Sequence, residues 1–231
     1  GGAGEDDWTQ EFTLVRRTAR TEPGATVASA TRGQRSIAFS DRVLGGHSGI
    51  DKPELSNIPM VGIDPDLDRL RPGSLANRAL VLPAAELARR GSQLEAARPK
   101  VVLLTADSDE AYEQAARLFE RGRWQLESDT GGPALMLLSP QDSEKLTGLV
   151  RVNASRHPDG LGVVSYDTIL DATIAQGVER IETANFVGRL PGSVEGAGAV
   201  LVLAHWDHLG DACGPPDATD RLCNGAVDNA S

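Results

Sequence analysis

Apolar and polar positions alternate over residues 11–17, EFTLVRR, which predicts a β-strand with one face turned to a core. From residue 21 to 73 the chain is dense in Gly, Pro, Asp and Ser, with short apolar bursts at 36–39 and 58–63. A loop-rich stretch with one or two short strands is expected there. The texture changes at Ser74. ALVLP at 79–83 is an apolar run, and AAELARRGSQLEAA at 84–97 sets Leu87 and Leu94 seven residues apart, so a strand followed by a helix is expected. The pair then recurs. KVVLLT at 100–105 reads as a buried strand, and Ser108 is placed to cap a helix with Ala111, Ala115, Leu118 and Phe119 on one face. PALMLLS at 133–139 is a third strand, followed by a short helix over 140–149. Three such alternations predict a small α/β module with its own core.

Beyond Val150 the apolar segments lengthen, at 169–175, at 180–190 (RIETANFVGRL) and at 199–204 (AVLVLA), and these are expected to be strands of a second sheet. The last is almost continuously apolar, as suits a strand buried on both faces. Polar residues that follow such a strand emerge at its C-terminal edge, where open α/β sheets place their sites. His205 falls at that point.

An apolar fraction of 40% over 231 residues is enough for ordinary cores, in one large domain or two small ones. The net charge of −10 is spread along the chain, which speaks against binding nucleic-acid phosphates. No run of 18 apolar residues appears, so no membrane insertion is expected. The opening GGAGEDDWTQEF lacks the basic and apolar stretches of a signal peptide and has the look of a fragment boundary or a processed end. Cys213 and Cys223 lie ten positions apart in an Asp-, Gly- and Pro-rich segment. That spacing is a poor structural zinc motif and a fair local disulfide, with two unpaired thiols as the alternative. A bridge would imply an oxidising compartment.

Reactive side chains are densest in AHWDHLG, 204–210, where His205, Asp207 and His208 fall within four positions. A neutral imidazole is a good zinc ligand, and a carboxylate two residues away can accept its other ring N–H and fix the tautomer. His205 and Asp207 fit those two roles. An isolated His-x-Asp is more commonly a pair bonded to loop backbone, so the tripeptide alone proves little. Further on, CNGAVDNAS at 223–231 supplies Asp228, which by itself reads equally well as a helix N-cap.

Taken together, TANFVGRLPGS (183–193), AVLVLAHWDHLG (199–210) and NGAVDNAS (224–231) occur in an order that resembles the co-catalytic di-zinc aminopeptidases, the family that includes glutamate carboxypeptidase and the transferrin receptor. The resemblance implies an α/β fold: a partial zinc-exopeptidase mixed-sheet domain with an inserted small α/β protease-associated domain. WTQEFTLV at 8–15 is similar to the family's first strand before that insert. The implied division is 1–30 for the N-terminal strand segment of the peptidase domain, 31–150 for the protease-associated-like insert, and 151–231 for the start of the peptidase domain proper. No catalytic residue is assigned to the insert.

Carried over position by position, the resemblance implies that His205 ligates one zinc, that Asp228 bridges two zinc ions through its carboxylate oxygens, and that Asp207 orients His205. Two zinc ions about 3.5–4 Å apart repel, and a shared carboxylate with a shared water offsets that repulsion. The family pattern gives His208 no metal role, and it is read as lining the cleft. Trp206 is read as core. His47 and His157, in Gly- or Pro-containing loops, are read as surface residues, and Asn185 as satisfying backbone groups.

The family also needs a Glu pair, a further Asp and a final His, and none of these can be placed in the sequence. The expectation is therefore a fragment, inactive by itself, of a secreted zinc-dependent aminopeptidase that hydrolyses N-terminal peptide bonds of peptides or proteins with two zinc ions and a bridging water. An extracellular or periplasmic location is expected. The alternatives are a metal-free receptor-like or protein-interaction module of the same fold and a one-zinc enzyme like glutaminyl cyclase. Side-chain preference and oligomeric state are not legible.

Overall fold

The computed structural model describes residues 9–39, 42–47, 49–64, 69–128, 132–150 and 162–188, together with residues 190, 193, 198, 200 and 202. The chain divides into two compact units, Gly1–Val187 and Gly188–Ser231. In the second, Leu190, Val200 and Val202 are exposed. The buried strand expected over 199–204 otherwise lies outside the described residues.

The first unit holds β1 (Thr9–Ala19), β2 (Thr26–Arg32), β3 (Arg35–Phe39), β4 (Leu44–His47), β5 (Glu54–Ile63), β6 (Ala79–Pro83), α1 (Gly91–Ala97), β7 (Val101–Thr105), α2 (Asp109–Arg121), β8 (Arg123–Leu126), β9 (Ala134–Leu138), α3 (Pro140–Leu149), β10 (Val163–Ile174) and β11 (Gln176–Phe186). Eight strands form a mixed sheet in the order β3-β2-β10-β5-β6-β7-β9-β4. A second sheet of three has the order β11-β1-β8. The class is α/β, with few helices.

The four strands β5, β6, β7 and β9 run parallel, and their register lines up Ala79, Val101 and Ala134 across three of them. Continuous apolar runs suit that position because both faces of a central parallel strand are covered. On one face Leu103, Met136 and Leu138 pack with Leu146 and Leu149 of α3 and with Ala28, Ala30 and Leu170 of the antiparallel strands. On the other, Leu82, Val102, Leu104 and Leu137 pack with Leu94 of α1 and with Tyr112, Ala116 and Phe119 of α2.

Two helix starts are capped by serine, Ser108 as read from the sequence and Ser139 in addition. Ser108 Oγ accepts the Ala111 N–H at 3.2 Å, and Ser139 Oγ accepts the Asp142 N–H at 3.2 Å with Pro140 in the first turn. The helix expected over 84–97 is instead a 3-10 turn at Ala84–Glu86 and the short helix α1. α1 ends where Arg98 turns left-handed, just before Pro99, which disfavours a helical predecessor.

Three further expectations change. The stretch 21–73 is not mostly loop but contributes β2, β3, β4 and β5. The segment at 169–175 belongs to β10, which pairs with β2 and β5 in the eight-stranded sheet and not in a second one. β8 was not expected at all, and it crosses to the other sheet to pair with β1.

That second sheet frames the first. β1 and β11 pair antiparallel along their whole lengths, from Thr9 opposite Phe186 to Ala19 opposite Gln176. Everything between them in sequence except β8 builds the eight-stranded sheet and its helices. β2 and β10, which lie wholly or partly outside residues 31–150, are integral to it.

Candidate functional site

The residues singled out for metal chemistry, His205, Asp207 and Asp228, lie outside the described residues, as do Trp206, His208, His157, Cys213 and Cys223. Among the described residues no group of three or more His, Cys, Asp or Glu is placed to hold a metal ion. An imidazole and a carboxylate are donors that zinc takes, but a catalytic zinc site uses three protein ligands, so the fit extends to donor type only. Asn185 bonds a side chain and not backbone: its Nδ2 donates to Oε1 of Gln10, directly opposite on β1, at 3.5 Å.

What the fold does build is a cavity of about 810 Å³ where the two sheets meet. α2 forms one wall. Its stripe of Tyr112, Ala116 and Phe119 is buried in the core, while Ala111, Ala115 and Leu118, at helical spacing, line the cavity. Leu118 is 66% exposed there. Leu104, Leu135 and Leu87 complete the apolar lining, and Arg17, Arg123, Gln114, Gln125, His47 and Gln176 bring polar groups to it.

Gly122 sets the corner between α2 and β8. With φ at +62° and ψ at −174° it occupies a region that belongs essentially to glycine, and a Cβ there would stand 2.5 Å from the carbonyl oxygen of Arg17. The chain can therefore turn tightly against β1 and enter β8 with Arg123 directly opposite Arg17.

His47 is not the loop surface residue expected. It ends β4, opposite Ala134 of β9, and is half-buried. Its Nδ1 accepts N–H groups from Gly49 at 2.8 Å and Ile50 at 3.1 Å. In the neutral ring the proton therefore sits on Nε2, and a proton on Nδ1 would break both bonds. Burial, and then the charge of Arg17, lower its pKa below the ordinary 6.5.

Gln176 ties this corner together from 129 residues away. Its Oε1 accepts the backbone N–H of His47 at 2.6 Å, and its Nε2 donates to the carbonyls of Ile50 at 2.7 Å and Asp51 at 3.3 Å. Asp51 then joins two elements through charge. Its Oδ1 accepts from Arg17 Nε at 2.9 Å, its Oδ2 from Arg180 Nη2 at 2.9 Å, and Arg180 Nε donates to Glu127 at 2.7 Å. The hydrogen bond from Arg180 is the main cause that lowers the Asp51 pKa, ahead of the one from Arg17.

An apolar chamber with a neutral imidazole donor and guanidinium groups at its wall can hold a ligand, but it assembles no nucleophile and base. The one face of α2 read from the sequence, Ala111, Ala115, Leu118 and Phe119, lines this cavity, whereas the residues the helix buries are Tyr112, Ala116 and Phe119. His47, Gln176 and Asp51 gave no local signal because the partners that define them are distant in the chain.

No family model matches the chain. No curated protein matches it significantly. Among solved structures it is weakly similar to the aminopeptidase from Aneurinibacillus sp. strain AM-1, at 13% sequence identity and a TM-score of 0.30 over 76% of this chain and 36% of that one. This chain thus spans about a third of that protein's length, and at that TM-score the likeness carries no argument about activity. Among the described residues no helix is long and apolar enough to cross a membrane.

Proposed function

We propose that the chain is part of a zinc-dependent aminopeptidase of the co-catalytic di-zinc family, acting on the N-termini of peptides or proteins. The observation that carries this reading is the ordered occurrence of TANFVGRLPGS, AVLVLAHWDHLG and NGAVDNAS. His205 and Asp228 would hold the metal ions. Asp207 accepts the second ring N–H of His205 and keeps its lone pair aimed at the metal. When bound, the zinc pair polarises the scissile carbonyl and acidifies water. Residues 31–150 are the protease-associated-like insert of such an enzyme, and a Cys213–Cys223 bridge suits an extracellular or periplasmic setting.

The test is made on the whole gene product that contains this chain. It is expected to retain two equivalents of zinc and to hydrolyse N-terminal amides, with activity lost to a chelator and restored by zinc. His205→Ala and Asp228→Ala should abolish turnover, and Asp207→Asn should lower zinc affinity about 10–100-fold. Hydrolysis that persists without metal, or a protein that retains no zinc, overturns the reading. The 231-residue chain alone is expected to lose zinc on dialysis and to be inactive.

A further inference from the structure

We propose that the cavity between α2 and the three-stranded sheet is a binding site for a small apolar carboxylate, with its apolar body against α2 and its carboxylate on Arg123. The volume of about 810 Å³ lies within the range of small-molecule sites. Its apolar wall is built at the margin of the core from Ala111, Ala115 and Leu118 of α2 together with Leu135. A large side chain 66% exposed at its margin, Leu118, stands ready to be covered.

The sign of the charge selects the ligand. In a chain of net charge −10, the charged residues that line this cavity are, among the described residues, Arg17 and Arg123, with no Asp or Glu. Arg17 and Arg123 stand directly opposite one another on β1 and β8, an arrangement of like charges that is unfavourable unless neutralised. Asp51 neutralises Arg17. Arg123 has no acidic partner among the described residues, and its guanidinium offers a fork that matches a carboxylate. His47 adds a neutral donor, since its Nδ1 is taken by two backbone N–H groups and Nε2–H is the one left. A cationic ligand would meet two arginines, and a fully polar one would leave the apolar wall bare.

An apolar carboxylate reaches a protein either as a fatty acid or as the C-terminus of a peptide ending in a large apolar residue. Both present the same chemistry here. This site is separate from the proposed metal chemistry, shares no residue with it, and is tested without metal or turnover.

The experiment is calorimetric titration of the whole chain with octanoate and with N-acetyl-Leu-Phe, each compared with its uncharged amide. At least one acid is expected to bind one to one, about tenfold more tightly than its amide, the difference that a charge-assisted pair supplies. Whichever acid does so identifies the source. Arg123→Gln should bring the acid down to the affinity of the amide and leave the amide unchanged. Ala115→Trp, which fills the chamber, should abolish binding of all four probes. If that variant does not fold, Leu118→Asp, at an exposed position, should weaken both acids more than their amides. The proposal is overturned if neither acid shows saturable binding, if acid and amide bind equally, or if neither the filling variant nor Leu118→Asp alters the affinity.

Discussion

At the centre of the eight-stranded sheet Leu103 and Met136 are wholly enclosed, whereas β11, on one edge of the three-stranded sheet, leaves Ile181 and Phe186 44% and 67% exposed. The larger sheet is covered on both faces by helices and by its own antiparallel strands, so removal of apolar area from water holds it. The smaller sheet depends more on pairing across strands. Arg16 meets Glu179 on one side and lies over the Trp124 ring at 5.0 Å on the other. The Asp51–Arg180–Glu127 chain then fastens it to the loop after β4. One region is specified by what it buries, the other by which partners stand opposite.

The sharpest way to break that comparison is to cut the same kind of side chain from each sheet. Leu103→Ala on β7 should cost about 2–5 kcal/mol, the loss of transfer energy plus the cavity left behind. Ile181→Ala on β11 removes as many carbon atoms from a position nearly half exposed and should cost less than about 1 kcal/mol. Chemical denaturation of both variants provides the comparison. Equal losses would mean that the smaller sheet has a core of its own, and the contrast drawn above would be wrong.

That contrast also explains what could be read from the sequence. β6, β7 and β9 are continuous apolar runs, and a central parallel strand has no other way to look, so these three gave themselves away at once. β2 did not. Its inward residues, Ala28 and Ala30, are buried to 2% and 0% yet are too small to stand out as a hydrophobic pattern among Thr and Ser. β8 is four residues of mixed polarity that makes sense only beside β1. The cavity was not legible: the sequence placed Ala111, Ala115, Leu118 and Phe119 on one face of α2 without showing which of them the core covers, and the polar corner rests on contacts such as the one from Gln176 to His47 that no local spacing can reveal. The candidate metal ligands were the reverse case, named only through the resemblance as His205, Asp207 and Asp228 and lying outside the described residues.

A smaller effect tests the joint where the two regions meet. Gln176 is 8% exposed and replaces missing strand partners for His47, Ile50 and Asp51. Gln176→Ala should cost about 1–3 kcal/mol, because the buried N–H of His47 loses its acceptor. Hydrogen exchange should then speed up at the His47 amide while the amides of β7 stay protected. Exchange that quickens equally in β7 would show that the sheets unfold as one and that the joint has no separate stability.

The smallest effect is electrostatic and belongs to the contacts that fasten the three-stranded sheet to β4 and the loop after it. The Asp51 pKa lies below the ordinary 3.8, mainly because Arg180 donates to it. A carboxylate lowered in the folded state adds stability that is present above 3.8 and is lost as the pH falls through the folded value. His47 is lowered from 6.5 by burial and by Arg17, so the neutral ring adds stability above 6.5 that fades as the pH falls through its own folded value. One window opens below 6.5 and the other below 3.8. Arg180→Gln should raise the Asp51 pKa toward 3.8 in a carboxyl NMR titration, lower Tm by about 2 °C or less in dilute salt, and leave the His47 titration in place. In 1 M salt the difference in Tm should vanish, since the pair is nearly half exposed and screened by ions. A loss that survives 1 M salt would mean that Arg180 contributes through packing, and the smaller sheet would resemble the larger one more than its charges suggest.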